Sequence, residues 1–173
     1  GAHVTLVAGP VQLETPRNVT RVDVESAEQM YGAVTARART SDAVLMAAAV
    51  ADFRPQAPAN NKIKKEAGKK QVSLALTETQ DILLALGQKK KKGTLLVGFA
   101  LETQDELRNA QEKLKKKNLD LIVLNSLKDK GAGFGGDTNV VTIVDKKGKV
   151  EKLPLTSKFD VANEILNRLK KLL

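Results

Sequence analysis

Cysteine and tryptophan are absent from the 173-residue chain, histidine occurs once, and aromatic residues make up only 3%. Without cysteine there is no disulfide scaffold, no thiolate zinc site and no cysteine nucleophile, and a reducing cytoplasm suits the composition. The scarcity of aromatics removes the stacking platforms on which single-strand nucleic-acid binders rely. The longest apolar run, around Ala43 to Ala51, falls far short of the ~20 residues a bilayer crossing requires. Gly1-Ala2-His3-Val4 has no basic segment leading into an apolar one, so neither a membrane span nor a signal peptide is expected. His3 has no serine or carboxylate pattern around it and reads as structural. No metal-ligand spacing of His, Asp and Glu appears, so any metal is expected to arrive with a phosphate ligand.

What is present is 42% hydrophobic and 28% charged residues, a length and balance that fit one domain spanning residues 1–173. The 29 Lys and Arg outweigh 20 Asp and Glu, giving a formal charge of +9 that favours anionic partners: nucleic acid, acidic lipid or phosphorylated small molecules. The lack of aromatics weighs against nucleic acid.

His3 to Ala8 reads as a strand stopped by Gly9-Pro10, and Val19 to Val24 alternates as a second. Ser26 with Gln29 is a capping-box start, followed at helical spacing by Ala27, Met30, Tyr31, Val34 and Ala38. Ala43 to Val50, Thr94 to Ala100 and Leu119 to Leu124 are continuously apolar, the pattern of parallel strands covered on both faces. Between the last two, Thr103 and Glu106 cap a helix whose buried stripe is Leu107, Ala110 and Leu114. Val140 to Val144 and Val150 to Leu155 flank Lys146-Lys147-Gly148-Lys149 as an edge hairpin. Ser157 and Asp160 then open a final helix with Val161, Ile165, Leu169 and Leu172 on one face. Ile82 to Leu86 is a short apolar helix, and Ala51 to Lys70 is a long polar loop, functional or partly disordered. Strands alternating with helices predict an α/β layered fold with right-handed crossovers.

In an open parallel sheet, ligands bind beyond the carboxyl ends of the strands. Ala49 to Pro55, Gly98 to Thr103 and Asn125 all follow apolar strands and so fall on one rim. The small residues Ala47, Ala48, Ala49, Ala51 and Gly98 admit either a flat ligand against the backbone or a closely packed helix. Lys62-Ile63-Lys64-Lys65 is either a phosphate-closing lysine run or a solvated one. Lys113 and Lys117, four apart on a helix, are either a polyphosphate grip or a solubilising face. Lys89 to Lys92 read as a solvated turn. Gly131 to Gly136 matches the dinucleotide fingerprint in letters only, because a β-rich segment follows where a helix is needed.

Taken together, Ala48-Ala49-Val50-Ala51-Asp52-Phe53-Arg54-Pro55, Lys62-Ile63-Lys64-Lys65, Gly98-Phe99-Ala100-Leu101-Glu102-Thr103 and Lys117 to Asn125 resemble the phosphopantothenoylcysteine synthetase family over essentially the whole chain. The resemblance implies a three-layer Rossmann-like fold, mostly parallel, with a C-terminal β-hairpin and helix. It also implies a cytoplasmic homodimeric ligase of coenzyme A synthesis. In that reaction CTP, with Mg2+, converts the carboxylate of 4′-phosphopantothenate to an acyl-cytidylate, and cysteine then displaces CMP. By the same resemblance, the backbone at Met46, Ala47 and Ala48 and the ring of Phe99 frame the nucleotide. Asp52 binds it, through magnesium; Lys62 is the mobile catalytic lysine; Lys113 and Lys117 contact the nucleotide, as does the turn Thr79-Gln80-Asp81-Ile82. Preorganised cations beside a dry pocket suit a phosphorus centre that gathers negative charge.

The chain departs from the family pattern at Gln80, where proline is usual, and near Glu78, where a basic residue is usual. The family also opens with a further strand, a glycine-rich turn and an Asn-containing segment, whereas this sequence starts at what reads as the second strand; little acyl-cytidylate is therefore expected from this chain alone. The alternative is a non-catalytic nucleotide-binding or basic interaction module that keeps the fold. A dinucleotide-dependent reductase is disfavoured by the lack of an opening strand, glycine turn and helix.

Overall fold

The computed structural model describes residues 1–64, 71–102, 104–126 and 135–173, with the backbone alone at Ser126. The chain divides into two compact units, each built from separated segments: residues 1–33 with 49–81, and residues 34–48 with 82–173.

In the first unit, β1 (Val4–Ala8) lies parallel to β2 (Val19–Asp23), and β4 (Phe53–Pro55) lies antiparallel to β5 (Leu76–Glu78). The β4 strand corrects the expectation of an unbroken loop from Ala51 to Lys70. Three residues, one of them proline, carry too short a pattern to read as a strand without the partner at 76–78. Helix α1 (Ala27–Ala38), of which the residues up to Ala33 belong to this unit, starts as its sequence predicts: Gln29 N–H donates to Ser26 Oγ (3.2 Å) while Gln29 Oε1 accepts from the Ser26 and Glu25 N–H groups. This reciprocal capping satisfies donors that a helix start leaves open.

The second unit holds a five-stranded sheet in the order β10-β9-β7-β6-β3. Strands β3 (Ala43–Met46), β6 (Leu95–Glu102) and β7 (Leu121–Ser126) are parallel; β9 (Val141–Asp145) and β10 (Val150–Lys152) close the sheet as an antiparallel edge hairpin. Its turn is built by Asp145, whose Oδ1 accepts from the Lys147 and Lys149 N–H groups, and by Gly148 at φ 88°, where glycine carries no Cβ penalty.

Side chains alternate across the strands. Leu95, Val97, Leu121, Val123, Val141 and Ile143 face Val161, Ile165 and Leu169 of the final helix α4 (Lys158–Lys170) in one buried cluster. Ser157 caps this helix, accepting from the Asp160 N–H at 3.0 Å, as the sequence predicts. On the opposite face, a methyl group on Gly98 would meet Leu83 of α2 (Ile82–Gln88) and Leu119, and α3 (Glu106–Lys116) packs on β6 and β7 through Ala110 and Leu114. The result is the expected three-layer α/β arrangement, with helices on both faces of a largely parallel sheet.

Several expectations need correction. β3 stops at Met46 rather than Val50 and leaves Leu45 exposed, because it is the sheet's edge and has a partner on one side only. Leu107 is exposed, outside the buried stripe of α3, and Leu172 lies past the end of α4 and is also exposed. The N-cap of α3 is Asp105, in the left-handed region at φ 44° with no side-chain cap, and Thr103 lies outside the described residues. Residues 131–134 of the glycine-rich stretch also lie outside them; β8 (Thr138–Asn139) and β9 follow, which is not the context of a dinucleotide fingerprint.

The run Lys89 to Lys92 is not a solvated turn throughout. Lys90 Nζ donates to Asp120 Oδ2 (3.0 Å) and to the Asn118 carbonyl (2.7 Å), and Lys91 Nζ donates to the Arg39 carbonyl (2.8 Å). Asp120 is buried at 1% exposure. It also accepts from Lys146 Nζ (2.7 Å) and from the Leu96 N–H (2.8 Å). A solvated reading fails here because the lysine's partner lies 30 residues away in the chain.

Candidate functional site

The parallel strands of the second unit all end on one rim. Met46 pairs with Gly98, and β6 continues past that pair through Phe99 and Leu101 to Glu102, while β7 runs on beside it to Asn125. Met46 is half-buried at the end of β3, and Ala47 and Ala48 follow it, exposed. Phe99 is half-buried, its ring packed on the cluster beneath α4. Asn125 Oδ1 accepts from Asn139 Nδ2 at 2.9 Å, tying the end of β7 to β8.

Gly98 decides between the two readings of the small residues at its own position. A Cβ there would lie 2.7 Å from Leu83 Cδ2 and 2.9 Å from Leu119 Cδ1, so its smallness admits side chains of the covering layer. Gly98→Ala is expected to cost about 1–3 kcal/mol in urea unfolding, as overpacking does, with nucleotide affinity unchanged. Unchanged stability with lost affinity would restore the ligand reading.

At the rim, Glu102 makes a contact that the sequence patterns missed. Glu102, with a side chain only 14% exposed, accepts from Lys113 Nζ at 2.5 Å and from Asn109 Nδ2 at 3.2 Å. Lys113 therefore stands against a carboxylate at the strand end, held by an ion pair between β6 and α3. The signal available in sequence was the acid at the strand end, but nothing local links it to a lysine eleven residues on. Lys117 is half-buried and caps α3, its N–H donating to the Lys113 carbonyl and the next N–H, of Asn118, to the Lys115 carbonyl. Ile82, the first residue of α2, is buried, as a packing residue would be.

The remaining expected site residues belong to the first unit. Asp52 is exposed, and its carbonyl accepts from the Thr79 N–H at 2.9 Å. Thr79 Oγ1 also donates to the Ala51 carbonyl at 2.5 Å, so Thr79 fastens the backbone that presents Asp52. Gln80 lines a small cavity with Thr79, and Asp81 follows, exposed. Lys62 is exposed between β4 and β5; Lys65 of the same motif lies outside the described residues.

Among the described residues no group of three or more His, Cys, Asp or Glu side chains is placed to hold a metal ion, and no helix is long and apolar enough to cross a membrane. A single exposed carboxylate such as Asp52 suits Mg2+, which keeps several waters and takes one or two protein ligands beside substrate phosphates.

The whole chain, residues 1–173, matches the family described as the DNA/pantothenate metabolism flavoprotein C-terminal domain. It is 49% identical over 170 residues to the coenzyme A biosynthesis bifunctional protein CoaBC of Bacillus subtilis (strain 168), covering 98% of this chain and 41% of that protein. It is 50% identical over 170 residues to a cysteine/cysteine sulfinic acid decarboxylase of an unknown prokaryotic organism, covering 98% of this chain and 47% of the relative. The chain thus spans less than half the length of these two relatives. Among solved structures, the C-terminal domain of a CoaBC protein superposes with a TM-score of 0.79 at 41% identity, covering 99% of this chain and 75% of that one.

Proposed function

The chain belongs to the DNA/pantothenate metabolism flavoprotein C-terminal domain family, and from that premise we propose that it is a CTP-dependent phosphopantothenate–cysteine ligase domain. The observation that carries the reading is the match to a CoaBC C-terminal domain at 41% identity across 99% of this chain and 75% of that one. The decarboxylase name belongs to a protein of which this chain spans 47%, and that activity is not carried over.

The reaction has two steps. A carboxylate oxygen of 4′-phosphopantothenate attacks the α-phosphorus of CTP and pyrophosphate leaves. The amine of cysteine, in its neutral form, then attacks the acyl carbonyl, CMP departs with the bonding pair, and the nitrogen sheds its extra proton to solvent. In this reading the backbone at Met46, Ala47 and Ala48 and the Phe99 ring border the nucleotide, and Thr79, Gln80, Asp81 and Ile82 form a second contact turn. Lys113 and Lys117 hold phosphate oxygens through charge-assisted hydrogen bonds. Lys62 supplies positive charge that neutralises the negative charge developing during acyl transfer. Asp52 would hold Mg2+, which when bound neutralises phosphate charge. The reading includes a cytoplasmic homodimer; the exposed apolar side chains of Phe53, Val72, Leu74 and Leu76 suit a second copy.

Thermal unfolding with added nucleotide tests the reading. CTP at a hundredfold excess over its Kd should stabilise the fold by about 2.7 kcal/mol, roughly a 5–10 °C shift for a chain of this length. ATP should do less, and pyrophosphate release in the presence of CTP should depend on 4′-phosphopantothenate. If duplex DNA raises the melting temperature while CTP leaves it unchanged, the protein is a basic interaction module instead.

A further inference from the structure

A cavity of 140 Å3 lies wholly within the first unit, lined by Ala27, Glu28, Arg54, Glu78, Thr79 and Gln80. Its charged side chains come from three places: Arg54 from β4, Glu78 from β5, and Glu28 from the first turn of α1. Among the described residues none of these three side chains makes an ion pair or hydrogen bond. Opposite charges thus border one small space without closing on each other. A guanidinium offers a planar fork that matches a carboxylate bidentately. Two carboxylates accept from an ammonium, which has three donors and no acceptor. The complement of this lining is a molecule that carries both ions on one short frame.

Size narrows the class. At roughly 10–15 Å3 for each water-sized position, the 140 Å3 cavity has room for a molecule of cysteine's size. Pockets for larger ligands begin at roughly 300 Å3, above the volume of this one.

We propose that this cavity binds a small α-amino acid as its zwitterion, the carboxylate on Arg54 and the ammonium between Glu28 and Glu78, with cysteine as the occupant. Naming cysteine rests on the ligase reading above; the zwitterion site does not. The family resemblance expects a basic residue near Glu78, and Arg54 with Glu28 forms the minimal pair of the site. Thr79 and Gln80 line the same cavity, so the turn assigned to the nucleotide also borders the amino acid.

The test is an NMR titration of the isotope-labelled full chain with L-cysteine under reducing conditions, L-alanine, N-acetyl-L-alanine and L-alaninamide. Cysteine and alanine should shift the amides of Glu28, Arg54 and Thr79 saturably at millimolar concentration, and the two blocked analogues should need at least tenfold more. Arg54→Gln, an exposed replacement, should weaken alanine binding at least tenfold and Glu78→Gln severalfold, with Lys92→Ala unchanged. Equal binding of the blocked analogues, normal binding by Arg54→Gln, or no saturable shift overturns the site. Amino-acid binding without any CTP binding or pyrophosphate release would sink the ligase reading and leave the site standing. Turnover by Arg54→Gln with an unaltered KM for cysteine would do the reverse.

Discussion

Asp120→Ala is expected to destabilise the second unit by about 3–5 kcal/mol, the usual cost of removing one member of a buried ion pair. A typical domain has roughly 5–15 kcal/mol in all, so this variant should unfold at far lower urea or fail to accumulate. Asp120 is the anion on which two cations and one backbone donor converge: Lys90 Nζ at 3.0 Å, Lys146 Nζ at 2.7 Å and the Leu96 N–H at 2.8 Å. The side chains of Lys90 and Lys146 are 13% and 52% exposed, so losing the carboxylate strands the first in a dry setting and returns the second to water. The expected order of cost is therefore Asp120→Ala, then Lys90→Met, then Lys146→Met. Lys90→Met keeps the test informative if the first variant does not fold. Equal and small losses for all three would show that the cluster contributes nothing beyond a surface ion pair.

The same carboxylate gives the cluster a pH signature. Burial alone would push the Asp120 carboxyl up, but the hydrogen bonds from Lys146, the Leu96 N–H and Lys90, with the charge of Lys90, together hold it below the ordinary aspartate range. A carboxylate with a lowered folded value contributes stability that is complete above its unfolded value of about 3.9 and is lost as pH falls through the folded value. The stability gap between the parent and Asp120→Asn should therefore be widest near neutrality and narrow steadily below pH ~4. A gap that widens with acid would contradict the assignment.

Local patterns carried much of the fold. Ser26 with Gln29, Ser157 with Asp160 and the Asp145-to-Lys149 turn each complete their hydrogen bonds within a few residues, so spacing alone shows them. Leu95 to Val97 and Leu121 to Leu124 are buried on both faces, and a continuous apolar run reports this directly. What failed was whatever depends on a partner distant in sequence. Lys90 resembles any other member of a lysine run until Asp120 is placed beside it, and Gly98 resembles a ligand-contact glycine until Leu83 and Leu119 are packed on it. Leu107 has the right spacing for the stripe of α3 but is 41% exposed. The candidate site divides similarly: that β3 and β6 end on one rim follows from the apolar runs, though not where each strand stops, whereas Thr79 as the fastener of Ala51 and Asp52 rests on a hydrogen bond spanning 28 residues.

Lys113→Ala and Lys117→Ala should each weaken CTP binding about tenfold or more, since a charge-assisted hydrogen bond is worth roughly 1.5–3 kcal/mol and 1.4 kcal/mol is a factor of ten. The two lysines lie four residues apart, Lys113 beside Glu102 at the end of β6 and Lys117 at the C-cap of α3, its carbonyl against Gly87. Lys113 is not idle without a ligand, because Glu102 accepts its proton-bearing nitrogen at 2.5 Å. A polyphosphate must therefore share or displace that carboxylate, which makes the gain at Lys113 smaller than a free lysine would give. Glu102→Gln should accordingly strengthen binding by removing the competing anion. Both losses should shrink at higher salt, because screening weakens exposed charge pairs. The control has to be a lysine that leaves the fold intact: Lys92 is exposed and qualifies, whereas Lys90 grips the buried Asp120 and does not. Calorimetric titration of CTP into the four variants at low and moderate salt separates the possibilities. If Lys92→Ala weakens binding as much as Lys113→Ala and Lys117→Ala, CTP is responding to the net charge of the chain, and α3 holds no phosphate site of its own.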